Sequence, residues 1–132
     1  MKEIVLIFGG VFGTLSVILG AFGAHALRRS FNDDQLRSYE VGVRYQMYHS
    51  VMLIISGIVF PFAETGQVLT AWCFIIGIIL FSFSIYGLTY SDSRGKKIKL
   101  LGPVTPIGGL FLIIGWILFT FNITEIALYL QP

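Results

Sequence analysis

Long apolar stretches without a charged residue alternate with short basic segments, and this pattern constrains the fold more than any other feature. Eight of the nine Lys and Arg residues lie in two such segments: Arg28, Arg29, Arg37, Arg44, Arg94, Lys96, Lys97 and Lys99. A bilayer core is crossed by about 20 apolar residues in a helix. A chain that is 55% hydrophobic and 12% charged has too few polar residues to cover a soluble domain of its size. The pattern therefore indicates an integral membrane protein.

Four stretches are long enough to be spans, and we predict that the whole chain, residues 1–132, is a single transmembrane domain. The predicted spans cover about residues 4–24, 47–62, 68–90 and 104–122. Backbone that faces lipid must form its hydrogen bonds internally, which leaves helices or a closed barrel. The run from Cys73 to Phe81 lacks the alternation that barrel strands require. The predicted fold is all-α, an integral membrane four-helix bundle.

The basic residues also predict the orientation. With four spans, the two basic segments lie on one side, and both termini lie on the other side with Lys2. The positive-inside rule places the basic loops in the cytoplasm and both termini outside. A cleaved signal peptide ending at Ala24-His25-Ala26 is the alternative. We favour a retained span because the apolar stretch is long and Glu3 offsets the charge of Lys2.

The segment after the first span carries the signature of a helix start. Asn32 is a predicted N-cap, and Gln35 is its partner in a capping box. Apolar residues then recur at helical spacing, at Leu36, Tyr39, Val43 and Met47. Because Arg37 and Arg44 fall on the opposite side, we predict an amphipathic interfacial helix between spans one and two.

The first span carries a seam of small residues that predicts close helix packing. The seam consists of Gly9, Gly13, Ser16, Gly20 and Gly23. Small side chains at this spacing let a neighbouring helix backbone approach closely. The neighbour can belong to the same chain or to a second copy, so the sequence leaves a homo-oligomer or another membrane-protein partner open.

Polar residues at the predicted cytoplasmic ends of the spans form the candidate site. They are His25, Tyr45, Gln46, Tyr48, His49, Tyr86 and Thr105. For His25, helix capping and a binding role both stay open. An ionisable group among apolar residues is costly unless it is paired, so we expect His49 to face the bundle. Its predicted partner is His25, Tyr86 or Thr105.

The start of the fourth span suggests a second kind of site. Thr105 as N-cap and Pro106 at the first helical position predict a helix start, and helix N-termini favour anions. We expect anionic lipid head groups at the nearby cations, which are Arg28, Arg29, Lys96, Lys97 and Lys99. A capped helix with ordinary inside-positive lysines explains the same residues.

Four motifs together resemble a known family. They are Gly20-Ala-Phe-Gly-Ala-His-Ala-Leu27, Tyr45-Gln-Met-Tyr-His49, Ser84-Ile-Tyr86, and Gly102-Pro-Val-Thr-Pro-Ile-Gly-Gly109 followed by Gly115-Trp116. The chain resembles, over essentially its whole length, the bacterial family catalogued as domain of unknown function 423. The resemblance implies a small four-span protein of the bacterial plasma (inner) membrane, and it implies no activity, substrate or cofactor.

The function classes follow from which motifs the sequence contains. It has no Ser-His-Asp set, paired carboxylates, zinc-ligand spacing, P-loop or dinucleotide-binding glycine pattern, and its one cysteine, Cys73, forms no cluster. We expect no enzymatic activity, cofactor, metal or nucleic-acid partner. The favoured interpretation is a membrane protein that binds lipid or a protein partner at the cytoplasmic leaflet. The alternative is a small transporter or proton-coupled permease using His25 and His49, and a haem protein using the same two residues is the third.

Overall fold

The computed structural model describes residues 1–129, and all of their regular secondary structure is helical. The helices are α1 (Lys2–His25), α2 (Asp33–Val59), α3 (Thr65–Ile78), α4 (Ser84–Ser93) and α5 (Leu101–Tyr129). A 3₁₀ turn, Leu27–Arg29, follows α1. One π-helical segment, Ile79–Phe83, joins α3 and α4 into a continuous rod. The prediction of an all-α fold is confirmed.

Three helical segments are long and apolar enough to cross a membrane. They are Lys2–Arg29, Thr65–Ser93 and Leu101–Leu128. Helix α2 is not in this set, because charged and polar residues occupy much of its N-terminal half. These three helices establish the membrane character of the fold.

The helices are arranged as two antiparallel hairpins, α1 with α2 and the α3–α4 rod with α5, and α2 is the arm that contacts the second hairpin. Helix α1 packs along α2, and α5 packs along α3 and α4, while α2 also contacts both α3 and α4. At one end, which carries both basic loops and is called the basic end, Gln35 Nε2 donates to Asp92 Oδ2 over 2.8 Å. At the opposite end, called the far end, Lys2 Nζ donates to the Ile58 carbonyl. The core between the hairpins is aromatic and aliphatic.

The small-residue seam of α1 faces α2 within the same chain. A Cβ added at Gly9 would lie 2.8 Å from Ile54 Cγ1, and one added at Gly23 would lie 2.8 Å from the Tyr39 ring. Ser16 Oγ, also on the seam, donates to the carbonyl of Val43 over 2.9 Å. The two backbones are therefore in close contact along most of α1.

Helix α2 begins as predicted but continues further. Asn32 Oδ1 accepts from the Gln35 N–H over 2.8 Å, and Gln35 Oε1 accepts from the Asn32 N–H, so the capping box is confirmed. The predicted interfacial helix is not a separate element, because α2 runs unbroken from Asp33 to Val59. The physical reason is tertiary burial: the Tyr39 ring lies against Gly23 and its hydroxyl donates to the Leu19 carbonyl. Interhelical packing keeps this charged segment beside α1.

The start of α5 differs from the prediction. The helix begins at Leu101, and Pro106 lies inside it, so Thr105 is not its N-cap. Backbone N–H groups in the first turn of a helix have no partner within the helix, so a proline there costs no hydrogen bond. Pro103 therefore fits in the first turn of α5. Thr105 Oγ1 instead lies 2.7 Å from Ser84 Oγ and joins α5 to α4.

Candidate functional site

Gln46 connects three helices in the interior of the bundle. Its side chain is fully buried. Its Nε2 donates to the Phe12 carbonyl of α1 over 2.8 Å, and its Oε1 accepts from the Tyr86 hydroxyl of α4 over 2.8 Å. The amide nitrogen and the amide oxygen of Gln46 are therefore both hydrogen-bonded to protein groups, as is usual for buried polar side chains.

His49 is held in one protonation state by its two partners. Trp116 Nε1 lies 3.1 Å from His49 Nε2, and an indole nitrogen can only donate, so Nε2 is the acceptor. The proton is therefore on Nδ1, which lies 2.7 Å from the Tyr45 carbonyl and donates to it. The imidazole is neutral, and both of its nitrogens are hydrogen-bonded. None of the predicted partners, His25, Tyr86 and Thr105, bonds to it.

These side chains form one layer, here called the deep polar layer, defined as Gln46, His49, Tyr86 and Trp116. Gln46 bonds to the carbonyl of Phe12, near the middle of α1, and Trp116 lies at the middle of α5. The prediction that all polar clusters lie at the cytoplasmic end is therefore wrong for this layer. The error arose because α2 starts earlier than the predicted second span, which moves His49 several turns inward.

The other predicted site residues lie elsewhere. His25 is exposed at the last turn of α1, and Tyr45 and Tyr48 are exposed on α2. Thr105 bonds to Ser84 rather than to the layer. The structure thus divides the predicted site into an interior group, exposed residues and an α4–α5 contact. Since His25 and His49 also differ in depth and surroundings, they do not form a pair of axial haem ligands.

Sequence reasoning missed Trp116 as a member of the layer. Trp116 is 44% exposed, but its indole N–H lies in the middle of an apolar helix, where lipid offers no acceptor. That requirement was a usable signal, because His49 offers a neutral ring nitrogen. The aromatic contacts agree with the bond: the Phe74 ring centroid lies 5.6 Å from that of His49 and 6.0 Å from that of Trp116.

A groove of about 640 Å³ opens at the basic end between α2, α4 and the start of α5. Its rim is polar and includes Gln35, Ser38, Thr89, Asp92 and Lys97. Its deeper wall is apolar and includes Val41, Ile85 and Leu88. This surface is called the basic-end groove below.

One ion pair and one hydrogen bond organise the rim of the groove. Asp92 Oδ2 accepts from Gln35 Nε2 over 2.8 Å, whereas Asp92 Oδ1 lies 3.7 Å from Lys97 Nζ. The Lys97 side chain is 60% exposed, so this ion pair is solvated and loose. Asp92 therefore keeps one oxygen that a ligand can reach.

The predicted anionic-lipid contacts are distributed around this end. Lys97 lines the groove, while Arg28, Arg29, Lys96 and Lys99 are exposed in the two basic loops. The N-terminus of α5 offers an anion few donors. The N–H groups of Leu101 and Gly102 already donate to loop carbonyls, and Pro103 has none.

Within residues 1–129, no group of three or more His, Cys, Asp and Glu side chains is arranged to hold a metal ion. The chemistry that the described residues offer at the basic end is hydrogen bonding and charge pairing. In the deep polar layer, it is hydrogen bonding between pairs of side chains and to the backbone carbonyls of Phe12 and Tyr45.

The long apolar helices, joined by the hydrogen bonds of the deep polar layer, define an all-helical integral membrane protein. A family model described as "Protein of unknown function (DUF423)" matches residues 19–109, and the chain belongs to this family. The resemblance drawn from the four sequence motifs is thereby confirmed.

Relatives of this chain are named as membrane proteins. A UPF0382 membrane protein of Staphylococcus aureus (strain bovine RF122) is 38% identical over 116 residues, which cover 88% of this chain and 91% of the relative. The UPF0382 membrane protein YwdK of Bacillus subtilis is 37% identical over 118 residues, covering 88% and 92% respectively. No solved structure matches this chain.

Proposed function

We propose that the chain is a non-enzymatic, multi-pass protein of the bacterial plasma membrane that binds phospholipid at its basic end. The basic-end groove carries this proposal, because it joins a polar rim with Lys97 to an apolar wall. A phospholipid has the matching division into a charged head group and apolar chains. Basic residues near a cytoplasmic leaflet attract its anionic head groups as well.

The proposal includes α2 as a fourth span. Its 27 residues correspond to about 40 Å of helix, more than the ~30 Å of a bilayer core. It pairs with α1 from Gly57, beside Leu6, to Tyr39, beside Gly23. Its most polar interior side chains, Gln46 and His49, face other helices rather than lipid. The charged side chains near its N-terminus are long enough to reach the interface.

The orientation follows from the charge distribution. With the basic end in the cytoplasm, eight Lys and Arg residues face inward against Lys2 alone at the far end. Both termini then lie outside the cell, as the positive-inside rule requires. The groove in this orientation opens into the inner leaflet, where the anionic lipids are in contact with the exposed cations around its rim.

A non-enzymatic role is supported by the state of the interior polar groups. Gln46 and His49 have their hydrogen-bonding atoms engaged by Tyr86, Trp116 and backbone carbonyls. A general base needs an accessible lone pair, and the indole N–H already occupies that of His49. The layer therefore serves to hold the four long helical segments together.

Transport is the second candidate, and the depth of His49 favours it. Transporter sites lie near the bilayer midplane, and His49 bonds to Trp116 at the middle of α5, one of the three apolar helices. Its 4% exposure and two engaged nitrogens argue against proton exchange during transport. Proton flux into liposomes that disappears in a His49→Ala variant would favour transport over lipid binding.

The test of lipid binding is native mass spectrometry of the full-length protein extracted gently from its own membrane. Replacement of Lys96, Lys97 and Lys99 by Gln should reduce the number of phospholipids that the protein retains. The matched control is Lys2→Gln, which removes a cation at the far end and should leave retention unchanged. Equal retention by the triple variant and the wild type would reject a role for the three lysines.

A further inference from the structure

We infer that the basic-end groove selects a zwitterionic phospholipid whose head group carries a primary ammonium, with Asp92 accepting from the ammonium and Lys97 pairing with the phosphate. This inference rests on the proposed function, since it requires that phospholipid occupy the groove. It adds the head-group chemistry that the groove prefers.

Asp92 and Lys97 balance one another in charge at the rim of the groove. Asp34 also lines it, but its side chain is 92% exposed and already lies 3.3 Å from the Arg37 guanidinium. Asp92 is the more enclosed carboxylate, at 38% exposure, and Lys97 is the cation beside it. One negative and one positive group therefore face inward, which matches a zwitterion better than an anion. A purely anionic head group would bring its charge close to Asp92.

The contacts of Asp92 favour an exchange of partners. Gln35 fixes one carboxylate oxygen at 2.8 Å, while the distance from the other oxygen to Lys97 Nζ, 3.7 Å, is too long for a good hydrogen bond. A lipid ammonium can occupy this second oxygen at hydrogen-bond distance. Lys97 lies on the exposed loop after α4 and is then free to approach the phosphate. With the lipid bound, Asp92 is paired with the ammonium and Lys97 with the phosphate.

The other residues that line the groove are consistent with a lipid whose head group lies beside Asp92 and Lys97. Ser38 on α2 adds a hydroxyl to the rim on the side opposite Asp92, within the same groove. Val41, Ile85 and Leu88 lie further from the basic end and offer an apolar wall for an acyl chain. The head group thus faces the loops, and the chain runs towards the bilayer interior.

A hydrogen-bonding ammonium distinguishes this site from one that recognises charge alone. Phosphatidylcholine has the same net charge as phosphatidylethanolamine, but its quaternary nitrogen has no N–H to donate to Asp92. Phosphatidylglycerol has no cation at all. The inference therefore predicts that phosphatidylethanolamine binds more tightly than either of the other two lipids.

The experiment is a titration of the full-length protein in detergent, followed by native mass spectrometry, with these three lipids carrying identical acyl chains. Phosphatidylethanolamine should bind about tenfold more tightly than phosphatidylcholine, the effect of one charge-assisted hydrogen bond. Asp92→Asn should abolish this preference, and it keeps an oxygen for Gln35. Asp34→Asn, which removes the exposed carboxylate of the same groove, is the matched control and should retain the preference.

The outcomes separate the inference from the function on which it rests. Equal binding of phosphatidylethanolamine and phosphatidylcholine, or tighter binding of phosphatidylglycerol, would overturn the selectivity while lipid binding stands. A preference that survives Asp92→Asn would overturn the assignment of that residue. Failure to retain any of the three lipids would instead remove the proposed function. If Asp92→Asn does not fold, the comparison of the three lipids on the wild-type protein still tests the selectivity of the groove.

Discussion

The deep polar layer and the basic-end groove use similar residue types in opposite ways. In the layer, Gln46 is fully buried and His49 is 4% exposed, and they bond to neighbouring helices at 2.8 to 3.1 Å. In the groove, Asp92 and Lys97 are partly exposed and lie 3.7 Å apart. One region has its polar groups satisfied inside the protein, and the other leaves them accessible.

The difference shows where binding can be sought in a membrane protein this small. A buried polar group without partners is costly, so Gln46 and His49 are engaged by other groups of the bundle. Ligand binding there would require breaking those bonds first. At the groove, the ion pair is solvated and worth little, so a ligand can replace it at small cost. The comparison predicts large stability effects in the layer and small ones in the groove.

The largest stability effect is expected for Gln46→Leu. This variant leaves the Tyr86 hydroxyl without its acceptor and removes the bond to the Phe12 carbonyl. Loss of two buried hydrogen bonds, with one group left unpaired, should lower the free energy of unfolding by about 3 kcal/mol. Reversible unfolding in mixed micelles, followed by circular dichroism, measures this loss.

The matched control for that variant is Gln35→Leu at the groove rim. It also removes a glutamine that bonds across helices, but Gln35 is only partly buried and bonds to the solvated Asp92. Its capping-box contribution adds about 1 kcal/mol, so the expected loss remains well below that of Gln46→Leu. Equal losses for the two variants would remove the distinction between the two regions.

An intermediate effect is expected for Trp116→Phe. The change keeps the aromatic packing but removes the N–H that His49 Nε2 accepts, which should cost about 1 to 2 kcal/mol. Because the indole fixes the tautomer, nitrogen NMR of the wild type should show a neutral His49 ring protonated at Nδ1. In the variant, the Nε2 signal should shift because its hydrogen-bond donor is lost, while Nδ1 keeps its proton through the bond to the Tyr45 carbonyl.

Trp72→Phe is the control, since Trp72 on α3 is exposed to nearly the same extent as Trp116, 41% against 44%, but lies outside the deep polar layer. This variant should change the free energy of unfolding by at most a few tenths of a kcal/mol, as is usual for surface positions. It should leave the imidazole signals of His49 unchanged. Identical nitrogen shifts for His49 in the wild type and in Trp116→Phe would contradict the hydrogen bond between Trp116 and His49. The neutral, structural role of His49 depends on that bond.

The features that sequence reasoning predicted correctly are local or compositional. Asn32 and Gln35 are three residues apart, so their capping box depends on few other contacts. The all-α fold and the membrane class follow from uninterrupted apolar stretches, which no soluble fold can cover. Neither inference needs to know how one helix is rotated against another.

The features that sequence reasoning missed depend on tertiary contacts. The amphipathic pattern of the segment after Asn32 predicted an interfacial helix, but burial of Tyr39 against Gly23 keeps that segment beside α1. The partner of His49 is 67 residues away, and the rotation of α5 that presents Trp116 to it is not encoded in any local spacing. The depth of His49 was wrong for the same reason, since it was counted from the predicted start of the second span.

The smallest stability effect is expected for Lys97→Gln at the groove. Its ion pair with Asp92 is exposed and 3.7 Å long, so its loss should change the free energy of unfolding by less than about 0.5 kcal/mol. The measurement is the same unfolding experiment in micelles, made in the absence of added lipid. A loss as large as that of Gln46→Leu would mean that Lys97 and Asp92 hold α4 and its loop in place. The groove would then be a structural contact like the deep polar layer, and its accessible charges would no longer support binding.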